Sequence, residues 1–152
     1  MTITTSPDDT HPYLRAASAG IRHHRKVAQT ERTAVDRGHL DVLHAHLIAV
    51  HQLVDQLADT ARSSHPAAGR RLTTAQIRLW QATAEIHSAF HLLPAALAPT
   101  SAQATECRPE RLPEGPPVLT ICQRHLAAGH IVRRKNTPTD LNRPPHTTAC
   151  IR

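Results

Sequence analysis

Two short spacings in this sequence carry residues suited to metal chemistry. His87-Ser-Ala-Phe-His91 places two imidazoles four residues apart, which on a helix is one turn along one face. Cys122-Gln-Arg-His125 places a thiol and an imidazole three residues apart, again within a single turn. Thiolate and neutral imidazole are the usual zinc ligands, and a structural zinc site takes about four of them. Each pair therefore supplies half of a site. Other chemistry has no foothold: the chain contains no Gly-rich phosphate loop, no Gly-x-Ser-x-Gly elbow, no His-Glu-x-x-His motif and no catalytic-cysteine signature.

The stretch Leu119-Thr-Ile-Cys122-Gln-Arg-His125-Leu-Ala127 resembles the second half of small zinc knuckles that read Leu-x-x-Cys-x-x-His-x-Ala. That resemblance implies a structural zinc held from α-helical backbone by Cys122 and His125. A knuckle has Cys-x-x-Cys upstream, whereas this chain has only Cys107 there. The implied ligand set is then Cys107, Cys122 and His125, closed by His130 or a histidine of the third helix. Without zinc, Cys122 reads as a small buried hydrophobe and His125 as a surface residue. With Cys150, the cysteines are an odd and sparse set, expected to be thiols or ligands in a reducing compartment.

The His87/His91 pair has a second potential partner. If the helices before and after a turn near His65 to Gly69 are antiparallel, His87 and His91 lie level with Leu43 to Leu47, with His44 in reach and His46 on the other flank. His51 lies on the side of His44, but seven residues span roughly 10.5 Å along a helix, too far for one ion. The set His44, His87 and His91 is similar in arrangement to the three-histidine sites of DinB-like helical bundles, which hold a divalent metal and include thiol-dependent isomerases and transferases. This similarity implies an alternative function as a metal-dependent helical-bundle enzyme. The longer four-helix core of that family is not recognisable here, and the ligand order differs.

Helices must position these residues. Leu40, Leu43, Leu47, Val50, Val54 and Leu57 alternate spacings of three and four, which predicts a helix from about Ala34 to Arg62 with a narrow heptad seam. Ser63-Ser-His-Pro-Ala-Ala-Gly69 is breaker chemistry that ends it in a turn. A third helix is expected from Thr73 or Thr74 to Leu93, stopped by Pro94. Its apolar arc is broad, with Ile77, Trp80 and Ala84 on one side and Leu79, Ile86, Phe90 and Leu93 on the other, so it needs at least two partner helices. The antiparallel hairpin supplies one. A first helix, opened by Pro12 and carrying Tyr13, Leu14, Ala17 and Ile21 up to the basic cluster Arg22 to Lys26, is expected to lie across it. Val118 to Lys135 reads as a short strand turning into a helix, or as one helix interrupted near Gly129.

The architecture that follows is all-α: a small helical bundle of three main helices around an antiparallel hairpin core, with a short C-terminal strand/helix appendage and disordered termini. The expected organisation is a disordered leader (1–10), the helical bundle domain (11–97), a Pro-rich linker (98–117), the appendage (118–135) and a disordered tail (136–152). A length of 152 residues suits one domain. No stretch approaches the roughly 20 apolar residues that span a bilayer, and the first residues lack a signal-peptide pattern, so a cytoplasmic protein without membrane contact is expected.

Charge is unevenly placed. Residues 1–59 carry six basic and seven acidic side chains, whereas residues 60–152 carry twelve and five. The basic clusters at Arg22 to Lys26 and Arg133 to Lys135 would suit an acidic partner. With one Trp, one Tyr and one Phe there is little for nucleobases to stack on, so a protein partner or a second copy is favoured over nucleic acid. Thirteen histidines with ordinary pKa values near 6.5 also predict a fold that loosens below about pH 6.

Two stretches, His11-Pro-Tyr-Leu-Arg-Ala-Ala-Ser-Ala-Gly-Ile-Arg-His-His24 and Pro109-Glu-Arg-Leu-Pro-Glu-Gly-Pro-Pro-Val-Leu-Thr-Ile-Cys-Gln-Arg-His-Leu-Ala-Ala-Gly-His130, resemble members of an uncharacterised helical family of high-GC bacteria. That resemblance brings no activity with it. The function favoured by the residues is a non-catalytic interaction or regulatory module with a structural zinc and no assigned catalytic residue.

Overall fold

Caps and prolines at the helix starts set the element boundaries. Asp36 accepts a hydrogen bond from the His39 backbone N–H at 2.7 Å and opens α2 (Arg37–Ser64). A single residue, His65, then separates α2 from α3 (Pro66–Leu92). The sequence places this third helix seven or eight residues later. Pro66 occupies the first turn, where a missing N–H costs nothing, so the proline that ends one helix starts the next. The turn is tight enough to require glycine at position 69, since a Cβ there would come within 2.9–3.1 Å of Arg62, including its backbone.

A computed structural model describes residues 10–32, 34–95, 110–111 and 117–142. Besides α2 and α3, it contains α1 (Pro12–Glu31), β1 (Glu110–Arg111), β2 (Pro117–Val118), α4 (Ile121–Lys135) and α5 (Pro138–Asn142). The chain divides into two units, Met1–Val35 and Asp36–Arg152. In the first, α1 begins with Pro12 in its first turn, has no buried residue and ends at Arg32 in the left-handed conformation. In the second, α2 and α3 form the antiparallel hairpin, tied at its open end by Arg37 Nε donating to the Leu93 carbonyl at 2.9 Å.

The broad arc of α3 finds its second partner in α4, a role that the sequence assigns to the first helix. Thr120 and Gln123 form a reciprocal capping box that starts α4, and the helix runs unbroken through Gly129. Gly129 faces the Trp80 ring, and a Cβ there would sit 3.6–3.7 Å from it, an ordinary van der Waals contact. Ile121, Ala128 and Val132 are buried. At one end Arg124 pairs with Asp41; at the other, Lys135 reaches Asp55 at 2.6 Å and Asp59 at 3.0 Å. These pairs run in the same direction along both chains, so α4 lies parallel to α2 and antiparallel to α3.

The all-α reading holds, and the only paired extended backbone among the described residues is the two-residue antiparallel ladder of β1 and β2. Within the stretch read as tail, Pro138–Asn142 forms α5. Thr137 and Asp140 cap it reciprocally, and Gln81 Nε2 on α3 donates to the Leu141 carbonyl at 2.6 Å. The remaining residues of the leader, linker and tail, with Cys107 and Cys150, lie outside the described residues.

One difference bears on the site. The buried stripe of α2 is His44, Ile48, His51 and Ala58, one residue along from the Leu/Val seam. Leu43 and Leu57 are 38% and 48% exposed, whereas His44 is 0% exposed and His51 1%. Docking of α4 turns this face of α2 inward and places two imidazoles on the core axis.

Candidate metal centre

Three donor atoms meet where the end of α3 faces the start of α4. His87 and His91 project from adjacent turns of α3, and their Nε2 atoms are 3.3 Å apart. Cys122, the second residue of α4, places its Sγ 3.4 Å from His87 Nε2 and 3.3 Å from His91 Nε2. His87 and Cys122 are half-buried and His91 is exposed.

The triangle has the dimensions of a metal site. Zinc bonds nitrogen at 2.0–2.1 Å and sulfur at about 2.3 Å, so tetrahedral ligand atoms lie roughly 3.3–3.6 Å apart. Hydrogen bonding alone serves these atoms poorly. A ring nitrogen has one in-plane direction in which to donate or accept, yet here each meets two partners about 60° apart. An ion inside the triangle engages all three.

The local electrostatics keep these rings available. Burial, followed by the neighbouring His125 and His91, holds the His87 pKa below its ordinary value. Burial and then Arg133 lower that of His125. His44 is pushed down to about 4, first by burial and then by Arg124, His125 and His87, against the opposing charge of Asp41. At neutral pH these imidazoles are uncharged and keep a lone pair, the form in which histidine binds metal.

The two ligand sets read from the sequence are thus recombined. Cys122 of the knuckle set meets His87 and His91 of the histidine set. His125 is not in the triangle. Its ring lies between Trp80, at a centroid distance of 6.0 Å and 7° from parallel, and His87, at 4.6 Å and 10°. It is the middle of a three-ring stack, and its Nδ1 is buried without a hydrogen-bond partner. His130 is exposed on α4, and Cys107 lies outside the described residues.

His44 stands behind the triangle on α2. Its ring centre is 6.3 Å from that of His87, tilted by 52°, and 5.7 Å from that of His125, edge-on at 61°. Neither of its ring nitrogens has a hydrogen-bond partner among the described residues. The sequence places His44 beside the seam, where such a ring would reach water. A local signal for its burial does exist, since 44, 48, 51, 55 and 58 form a heptad-like stripe of their own, hidden because two members are histidine and one is Asp55.

A family model described as a family of unknown function, DUF6238, matches residues 1–149. No curated protein and no solved structure matches the chain. No described helix is long and apolar enough to cross a membrane.

Proposed function

Since the chain belongs to this family of unknown function, we propose from its own geometry that it is a non-catalytic, zinc-binding helical module. The ion sits on His87, His91 and Cys122 and fastens the start of α4 to the end of α3. The observation that carries this reading is the near-equilateral triangle of two Nε2 atoms and one Sγ at 3.3–3.4 Å. Sulfur in the set favours zinc over hard cations such as magnesium. With α4 fastened, its last turn presents Arg133 and Arg134 to solvent, a basic surface suited to an acidic protein partner.

Elemental analysis of the purified full chain tests this. Wild type is expected to hold about one zinc per chain, and Cys122→Ser and His91→Ala to hold almost none. Zinc protection of Cys122 against alkylation by iodoacetamide gives a second readout. Zinc content unchanged in Cys122→Ser overturns the reading.

A further inference from the structure

We propose that His44 is the fourth, inner ligand of this ion, so that the centre takes one donor from α2, two from α3 and one from α4. This rests on the metal reading above and goes further: it closes the coordination sphere from inside the protein.

The first support is the state of the His44 ring. It is 0% exposed, and neither nitrogen has a hydrogen-bond partner among the described residues. Burying a polar group without a partner is costly, and native cores seldom tolerate both polar atoms of one side chain in that state. A metal ion adjacent to the ring gives one of the two nitrogens a bond and removes its share of that cost. No existing hydrogen bond has to break for His44 to turn toward the triangle.

The second support is ring geometry. Two imidazoles on one tetrahedral zinc have centres roughly 5–5.5 Å apart and are inclined to each other. His44 is inclined by 52° to His87 with centres 6.3 Å apart, so bringing this pair of rings to coordination spacing takes an approach of roughly 1 Å. His125, the other nearby donor, fails this test although its centre is closer. It lies 10° from parallel to His87 and is held between that ring and Trp80. Stacked rings point their edges in parallel directions, and turning His125 to converge would break contacts with both neighbours. His125 is a packing wall of the centre.

A four-ligand site leaves no position for water or substrate, the arrangement of structural zinc. The ion's work is then mechanical: it locks three helices whose other contacts at this end include the Arg124–Asp41 pair, the Arg37–Leu93 hydrogen bond and the buried Ile121.

Cobalt(II) substitution in the full chain tests the inference separately from the metal reading. Wild type is expected to take up one cobalt with intense four-coordinate d–d bands and a sulfur-to-cobalt charge-transfer band, none of which moves on adding azide. His44→Ala is expected to bind cobalt at least about tenfold more weakly, with bands that shift on azide binding at the vacated position. Azide-sensitive bands in the wild type overturn the proposal without any variant, and so do His44→Ala bands and affinity equal to wild type. Loss of the four-coordinate bands in Cys107→Ser also overturns it, by assigning the fourth position elsewhere. Failure of the wild type to take up cobalt overturns the metal reading itself, and this inference with it.

Discussion

His44 and His51 occupy the same face of α2, seven residues apart, and both are among the most deeply buried side chains of the described residues. Burial lowers the pKa of each. Their surroundings differ. His51 Nε2 meets the Gln76 side-chain amide at 2.7 Å, leaving only Nδ1 without a partner. The His44 ring has no hydrogen bond among the described residues and faces other imidazoles instead. A polar ring in a core is explained by an amide that meets its lone pair, and His51 is a packing residue of that kind. His44 has no such account among the described residues, and its ring stands next to that of His87, one of the three residues whose donor atoms lie at metal-ligand spacing.

Metal removal separates the two ends most strongly. A ligand present at about a thousand times its dissociation constant stabilises the folded state by about 4 kcal/mol. For a chain of this size that corresponds to a drop of roughly 10 °C or more in the thermal midpoint on chelation. The expected result is a fall of this size when the zinc-loaded wild type is treated with a chelator, and almost no response from Cys122→Ser. A wild-type midpoint indifferent to the chelator would erase the distinction and make both histidines packing residues.

The His51 end is expected to respond to mutation and to ignore metal. His51→Ala removes a buried ring and leaves the Gln76 amide unpaired, which costs about 2–4 kcal/mol. The same loss should appear with and without zinc. Replacing both partners, His51→Leu with Gln76→Leu, restores an apolar contact without an orphaned group and should return stability close to wild type. Denaturant midpoints for the three proteins test this; a double variant as unstable as His51→Ala would show that the pair does more than fill the core.

How much of this was legible follows from which interactions are local. Helical period and seam placed α2 within a few residues of its true ends, because three-and-four spacing depends only on chain neighbours. The inward face of α2 came out one residue off, since a hydropathy reading ranks Leu43 and Leu57 above His44 and His51. Only the docking of α4, from far along the chain, reverses that order. The start of α3 was hidden because His65-Pro66 reads as a breaker, although Pro at a first turn serves equally as a beginning. The same division holds at the site. The pair His87/His91 and the residue Cys122 are visible as one-turn spacings, but their meeting depends on the register of α4 against α3, which no local pattern encodes. For that reason the sequence assigned Cys122 to one site and the two histidines to another, and gave His125 a ligand's role where the structure makes it a stacked ring.

The smallest effect is the pH response of the His51 end. Its folded pKa lies below 6.5, first because of burial and then Lys135, with Asp55 opposing. Of the groups around it, Asp55 and Asp59 are both engaged by Lys135, and Gln76 carries no charge. As pH falls through 6.5 the unfolded chain takes up a proton at this histidine and the folded chain does not, so stability is lost toward acid. Between pH 7.5 and 5.5 the loss reaches at most about 1.4 kcal/mol, the limit set by an unfolded pKa of 6.5 and no proton uptake in the fold. The measurement belongs in the Cys122→Ser background, where metal does not contribute, comparing that protein with the same protein carrying His51→Leu and Gln76→Leu. The second should lose less stability between the two pH values, by up to that amount. Equal losses would mean that the acid sensitivity of the fold arises elsewhere, and the His44 cluster, the other group of buried imidazoles with lowered pKa, would then be its source.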